Sequence, residues 1–159
     1  MTKDSPPSNS TPTTEVELEQ WMKDNCFNFD GYSIHGNHIH EGCGIDRADG
    51  LFIWYFTERG EKRTLKTFHT EAEIIVHAYQ EIKSDLWAKT HGVGFTEDKS
   101  KIEELAHILT EMHIEYIQDS IPYYAADRPM YRIFVLGCDI QQVLHLKEKY
   151  SFNPLDTKQ

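Results

Sequence analysis

The chain lacks the marks of the common catalytic families. It has no GxSxG elbow, and its three cysteines (Cys26, Cys43, Cys138) form neither a CxxC pair nor a family signature with a histidine. An odd, widely spaced set argues against a disulfide framework and for a reducing cytosol. No apolar run approaches the roughly 18–20 residues of a membrane span. The opening MTKDSPPSNSTPTT has no apolar h-region, so it does not read as a secretory signal. These absences together lead us to expect a cytoplasmic protein without a membrane partner. GCG at 42–44 is not a phosphate fingerprint, because Arg47 stands where a third glycine belongs. Positive charge is scarce too. Sixteen Lys and Arg face 26 Asp and Glu, leaving −10 over 159 residues, a balance that repels nucleic acid.

That length predicts one domain around one core. Hydrophobic residues at 39% and aromatics at 12% suffice to build it, and aromatics also suit recognition surfaces. Residues 1–13, rich in Pro, Ser, Thr and Asn, read as a disordered tail, and 151–159 as a frayed one. Between them, residues 14–150 form the predicted domain. Thr14 with Glu17 is a capping-box pattern ahead of a helix over 15–25. Extended runs at 32–35, 39–45, 51–57 and 63–68 follow, with turns at Asp49-Gly50 and Arg59-Gly60. This predicts an antiparallel meander whose LFIWYF strand is covered on both faces. Thr70 with Glu73 opens a helix over 71–88, with Ala72, Ile75, Tyr79, Ile82 and Leu86 on its apolar stripe. A short strand at 91–96 and a helix over 98–112, with Ile102, Leu105, Leu109 and Met112 inward, come next. Strands at 114–118 and 131–136 flank an IPYYAADRPM loop, and Asp139 is placed to cap a final helix through residue 149. The class is α+β, an antiparallel sheet packed with about four helices.

Three groups invite a chemical reading. HGNHIH places His35, His38 and His40 near Cys43, and two histidines on one strand face suit zinc. No fourth ligand stands at a defined spacing, and the Glu expected after a cupin-like His-x-His is missing. Turn histidines are therefore the plainer reading, and no cofactor or metal is expected. Cys138, before Asp139 at a strand-to-helix junction, reads as a small buried residue rather than a nucleophile activated by the helix dipole. Arg59, Lys62, Arg63 and Lys66 around a hairpin could contact phosphates. On so acidic a chain they read instead as an edge that discourages strand addition.

Negative charge is concentrated. Residues 97–127 hold eight acids (Glu97, Asp98, Glu103, Glu104, Glu111, Glu115, Asp119, Asp127) against Lys99 and Lys101. Glu103, His107 and Glu111 recur every four residues opposite the apolar stripe, with Glu104 alongside. Beyond them Glu115, Asp119, Tyr123, Tyr124 and Asp127 mix carboxylates with tyrosines, a composition that suits an interface centre with a charged rim. These nine residues (Glu103, Glu104, His107, Glu111, Glu115, Asp119, Tyr123, Tyr124, Asp127) form the expected contact surface for a basic partner.

GLFIWYFTERGEKRTLKTFHTEAEIIVHAYQEIKSDLWAKTHGVGFT (50–96) and IPYYAADRPMYRIFVLGCDI (121–140) resemble a family of immunity proteins from bacterial polymorphic toxin systems. The resemblance spans roughly residues 30–145 and rests on texture and segment order. It implies a small non-enzymatic protein that neutralises the C-terminal domain of a cognate toxin, many such toxins being nucleases. It transfers no functional residue. A nuclease cleft is basic because it must hold a phosphate backbone, so an acidic inhibitor fits it and meets it fast. The rival readings are a small metal enzyme on His38 and His40 and a nucleic-acid module on residues 59–66. Exposed aromatics permit a homodimer without requiring one.

Overall fold

Local signals start the helices where the sequence places them. The computed structural model describes residues 10–125 and 128–151. Thr70 and Glu73 form the full reciprocal box that opens α2 (Glu71–Lys83): the Glu73 amide donates to Thr70 Oγ1 at 3.2 Å and the Thr70 amide to Glu73 Oε1 at 3.1 Å. Ahead of α1 (Glu15–Asp24) only half a box forms. The Glu17 amide donates to Thr14 Oγ1 at 3.1 Å, but the Glu17 carboxylate takes its bond from the Thr13 amide at 2.9 Å. Order therefore begins earlier than expected, with Pro12 already buried. Residues 1–9 and 152–159 of the expected tails lie outside the described residues.

The chain gathers into two compact units, one of residues up to Asp24 with Asn28–Ala88, the other of Asn25–Phe27 with the residues from Lys89 on. In the first unit β1 (Tyr32–Ser33), β2 (Gly42–Ala48), β3 (Leu51–Glu58) and β4 (Glu61–Phe68) form a sheet in that order. β2–β3–β4 is the expected antiparallel meander, but β1 pairs with β2 in parallel. HGNHIH is a loop rather than strand, because β2 starts only at Gly42. β3 is central, yet only Trp54 and Tyr55 are buried, so LFIWYF is half-covered rather than enclosed. Tyr55 lies across Gly44, where a Cβ would sit 2.4 Å from its hydroxyl oxygen. Leu18 and Met22 of α1 and Ile74, Ile75, Ala78 and Ile82 of α2 are the unit's buried helical stripe. The expected helix over 71–88 breaks at Ser84 into a 3-10 turn, Leu86–Lys89, which leaves Leu86 48% exposed.

In the second unit β5 (Thr90–Thr96), β6 (Tyr116–Ala125) and β7 (Arg128–Leu136) form an antiparallel sheet in the order β5-β7-β6. Of the expected IPYYAADRPM loop, residues 121–125 instead belong to β6 and residues 128–130 to β7. Alternating side chains can extend both strands past the point where turn-like residues suggest a stop. α3 (Lys99–Glu111) sets Ile102, Leu105 and Leu109 against Val93, Ile133 and Val135. Met112 caps that helix and is 37% exposed, not inward. α4 (Ile140–Tyr150) adds Val143, Leu146 and Tyr150 to the core. Asp139 precedes α4 without a side-chain capping bond, since it already sits in a 3-10 turn, Gly137–Asp139, with helical backbone angles. The Ser151 hydroxyl donates to the Val93 carbonyl at 2.8 Å.

The cysteines overturn the sequence expectation. Cys26 and Cys138 form a disulfide, with Cα atoms 5.0 Å apart across a sequence separation of 112. Cys43 is the one free thiol. Separation along the chain hides proximity in the fold, so spacing alone could not expose this pair. His91 Nε2 meets the Cys26 carbonyl, and the Gln141 side-chain amide donates to Cys26 Sγ at 3.4 Å.

Two stability predictions follow from these contacts. Closing so long a loop restricts the unfolded chain by about 5 kcal/mol on the chain-entropy account. Adding a thiol reductant should lower the urea midpoint of the native protein markedly and leave a Cys26→Ser/Cys138→Ser variant unmoved. A Cβ at Gly94 would lie 2.6 Å from Leu105 Cδ2 and 2.8 Å from Ile102 Cδ1. Gly94→Ala should thus overpack the α3–β5 contact and cost about 1–3 kcal/mol in urea unfolding.

Candidate interaction surface

With Ile102, Leu105 and Leu109 committed to the core, the opposite face of α3 must meet water, and Glu103, His107 and Glu111 are exposed there. Asp98 serves the helix itself. Its carboxylate accepts from the Ser100 amide at 3.0 Å and the Lys101 amide at 3.3 Å, and the bonds from Ser100 and Lys101 hold it below the ordinary Asp range. Glu104 is engaged as well: the Tyr150 hydroxyl donates to it, and Lys149 Nζ lies 3.8 Å away. Burial, then Glu104, pushes the Tyr150 hydroxyl pKa up. Among the described residues, no ion pair reaches Glu103, Glu111 or Glu115.

Apart from the Asp98 N-cap, the charges on the terminal turns of α3 run against its own dipole. Lys99 and Lys101 stand in the first turn and Glu111 in the last, with no acid in the first turn and no base in the last. A helix C-terminus already carries partial negative charge, so each such placement costs about 0.3–1 kcal/mol at an exposed site. Glu111, followed closely by Glu115, therefore adds to a region that is negative before any side chain is counted.

The acids on β6 have another fate. Asp119 faces Arg132 in the β6–β7 register and accepts two bonds, from Nε at 2.8 Å and from an Nη at 2.7 Å. Asp119 in turn raises the Arg132 pKa. Arg132 alternates with the buried Ile133, so Asp119 lies on the face of the sheet away from α3. Tyr124 packs edge-on against Phe95 at 5.5 Å, and Phe95 is also a register partner of Arg132. The nine expected contact residues are thus not one patch. Glu103, His107 and Glu111 share the outer face of α3, Glu104 is partnered, and Asp119 and Tyr124 belong to the opposite side of the sheet. The Tyr123 side chain and Asp127 lie outside the described residues. A strand in place of the expected loop accounts for the split: pairing with Arg132 sets the side of Asp119, and the irregularity between Ile121 and Ala125 resets the alternation before Tyr124.

His38 and His40 do approach, with ring centroids 5.0 Å apart, while His35 pairs with Glu19 at 3.2 Å. Among the described residues no group of three or more His, Cys, Asp or Glu is placed to hold a metal ion. Burial, then Glu81, raises the Cys43 thiol, which keeps it protonated. Cys138, in its disulfide, is no nucleophile. The basic hairpin is organised around rings: Lys62 lies over Tyr55 at 4.4 Å, Arg63 over Phe56 at 5.2 Å and Lys66 over Phe68 at 5.3 Å. No helix among the described residues is long and apolar enough to cross a membrane.

One feature escaped the sequence reading. An open cleft of about 480 Å³ runs between β4 and α2, lined by Lys66, Phe68, Ala72, Glu73, Val76, His77 and Gln80. Its sequence signal is thin: one alternating pair on β4 and a helical flank too polar to stand out. The His77 ring packs 5.4 Å from Trp54 and 5.3 Å from Phe68. No family model matches the chain, and neither a curated protein nor a solved structure does.

Burial depresses the His77 pKa, Glu81 opposing and Lys66 reinforcing the shift. A folded pKa below the unfolded value of about 6.5 means that the unfolded chain binds the proton first as pH falls. The stability tied to neutral His77 is complete above that value and is lost as pH drops towards the folded one. Urea midpoints measured from pH 7.5 to 5 should fall more steeply for the native protein than for His77→Leu, and parallel curves would refute this.

Proposed function

We propose that this is a non-enzymatic binding protein that captures and silences a positively charged protein through the outer face of α3. The arrangement of charge along that helix carries the reading. Glu103, Glu111 and Glu115 are exposed and without an ion pair among the described residues, and Glu111 stands where it opposes the stability of its own helix. Side chains kept at a cost to stability are better explained by a partner than by folding. The resemblance of residues 50–96 and 121–140 to immunity proteins supplies the class of partner: a toxin C-terminal domain, with a nuclease the best fit to an acidic face. Capture by steric and electrostatic occlusion follows, with long-range attraction speeding encounter.

A cytoplasmic site of action belongs to this proposal, and the Cys26–Cys138 bridge pulls against it, because reducing cytosol opens most such bonds. The proposal needs no catalytic group. It now centres on α3 and its C-terminal end, with Asp119 set aside because Arg132 already neutralises it.

The test begins with affinity capture from the native host using the full chain, then measures binding kinetics with the captured protein. A recovered partner should be basic. A Glu103→Lys/Glu111→Lys/Glu115→Lys variant should slow association at least about tenfold at low salt and much less at high salt. Glu111→Lys alone should leave the fold as stable or slightly more so, which separates lost binding from unfolding. Capture of an acidic partner, or association rates that ignore these changes, would overturn the proposal.

A further inference from the structure

The first unit carries an unoccupied sheet edge beside an open groove. β4 is the last strand of its sheet, so one row of its backbone N–H and C=O groups faces outward. All its residues but Phe68 are exposed. Alongside runs the cleft of about 480 Å³, which has Lys66 and Phe68 on the β4 side and Ala72, Glu73, Val76 and His77 on the α2 side, the Glu73 carboxylate being taken up by the His69 and Thr70 amides. Lys66 and Phe68 alternate on β4 and so share the face turned to α2. Arg63 is on that face too. It pairs with Phe56, which lies two residues from Trp54 on β3, and the bulge opposite Trp54 and Tyr55 absorbs Leu65.

A strand laid beside β4 would place alternate side chains in the same cleft, about 4.8 Å further out. We propose that the β4 edge and its groove bind an extended acidic segment of a partner protein as a fifth, antiparallel strand. An apolar side chain would enter the cleft beside Phe68, and carboxylates would meet Lys66 and Arg63.

Charge selects this occupant. Arg59, Lys62, Arg63 and Lys66 outnumber Glu58 and Glu61 in this hairpin on a chain of net −10, and of the four cations only Lys62 has an ion pair among the described residues, with Asp46 at 2.9 Å. Cations along an edge repel a second copy of the same edge and attract an acidic one. Lys62, Arg63 and Lys66 also lie over Tyr55, Phe56 and Phe68, so these rings are not bare platforms for stacking bases. That favours an acidic polypeptide over a nucleic acid. Antiparallel addition continues the meander and pairs slightly better per residue. The surface is independent of the acidic face of α3, so either proposal can fail without the other.

The probe is a blocked heptapeptide, Thr-Leu-Thr-Asp-Thr-Asp-Thr, titrated into isotope-labelled full-length protein and followed by amide NMR. Shifts should concentrate on residues 62–68 and on 72–80. Replacing both aspartates by lysine should weaken binding at least about tenfold. Lys66→Glu should weaken the aspartate peptide and strengthen the lysine one, a reciprocal change that a folding defect cannot mimic. N-methylation of alternate peptide amides should abolish binding by removing the ladder hydrogen bonds while keeping every side chain. The proposal falls if millimolar peptide moves no amide in these stretches, if N-methylation has no effect, or if the lysine peptide binds as well. It falls equally if the β4 amides instead respond to protein concentration alone or to single-stranded RNA.

Discussion

Arg132 donates two hydrogen bonds to Asp119 across β6 and β7, and the strand register that sets them opposite one another also decides which face of the second unit's sheet is buried. A two-pronged guanidinium–carboxylate pair fixes register as well as charge. With Arg132 on one face of β7, Ile133 and Val135 must occupy the other, where Ile102, Leu105 and Leu109 of α3 settle on them. Gly94 on β5 leaves room for the same helix by having no side chain at all. The outward direction of Glu103, His107 and Glu111 is the remainder of that arrangement.

Helices were the most legible part of the sequence. Thr70, Glu73 and the stripe of Ile75 and Ile82 announce α2 through local hydrogen bonding and period alone, and the structure agrees. The meander of β2, β3 and β4 was legible too, because Asp49-Gly50 and Arg59-Gly60 put Asp49 at φ 54° and Arg59 at φ 54° ahead of permissive glycines. What failed depended on distant partners. Pro122, Tyr123 and Tyr124 look like loop, and they are carried within β6 because Ile121 and Ala125 on either side pair with Met130 and Arg128 of β7. The bridge between Cys26 and Cys138, and the parallel pairing of Tyr32 with Cys43, are likewise set by contacts that no local window contains.

The same distinction governs the candidate surfaces. The acids of α3 could be grouped from helical period alone, whereas Asp119 needed its strand partner to show that it is already neutralised. Positive charge on β4 was visible, but the groove beside it was not, because a cleft is a relation between two elements. The molecule thus carries surfaces of opposite sign, an acidic helix in one unit and a basic strand edge in the other. Each attracts what the other repels.

The short stretch Asn25–Phe27 belongs with the second unit although its neighbours in the chain on either side belong to the first. On a ribosome Cys138 follows Cys26 only after the intervening stretch of their 112-residue separation has been made. The correct bridge cannot close until that stretch is out, and Cys43 is the nearer thiol in sequence throughout that wait. Biogenesis therefore favours an environment in which oxidation is late or reversible, so that an early 26–43 pairing is undone before the second sheet assembles.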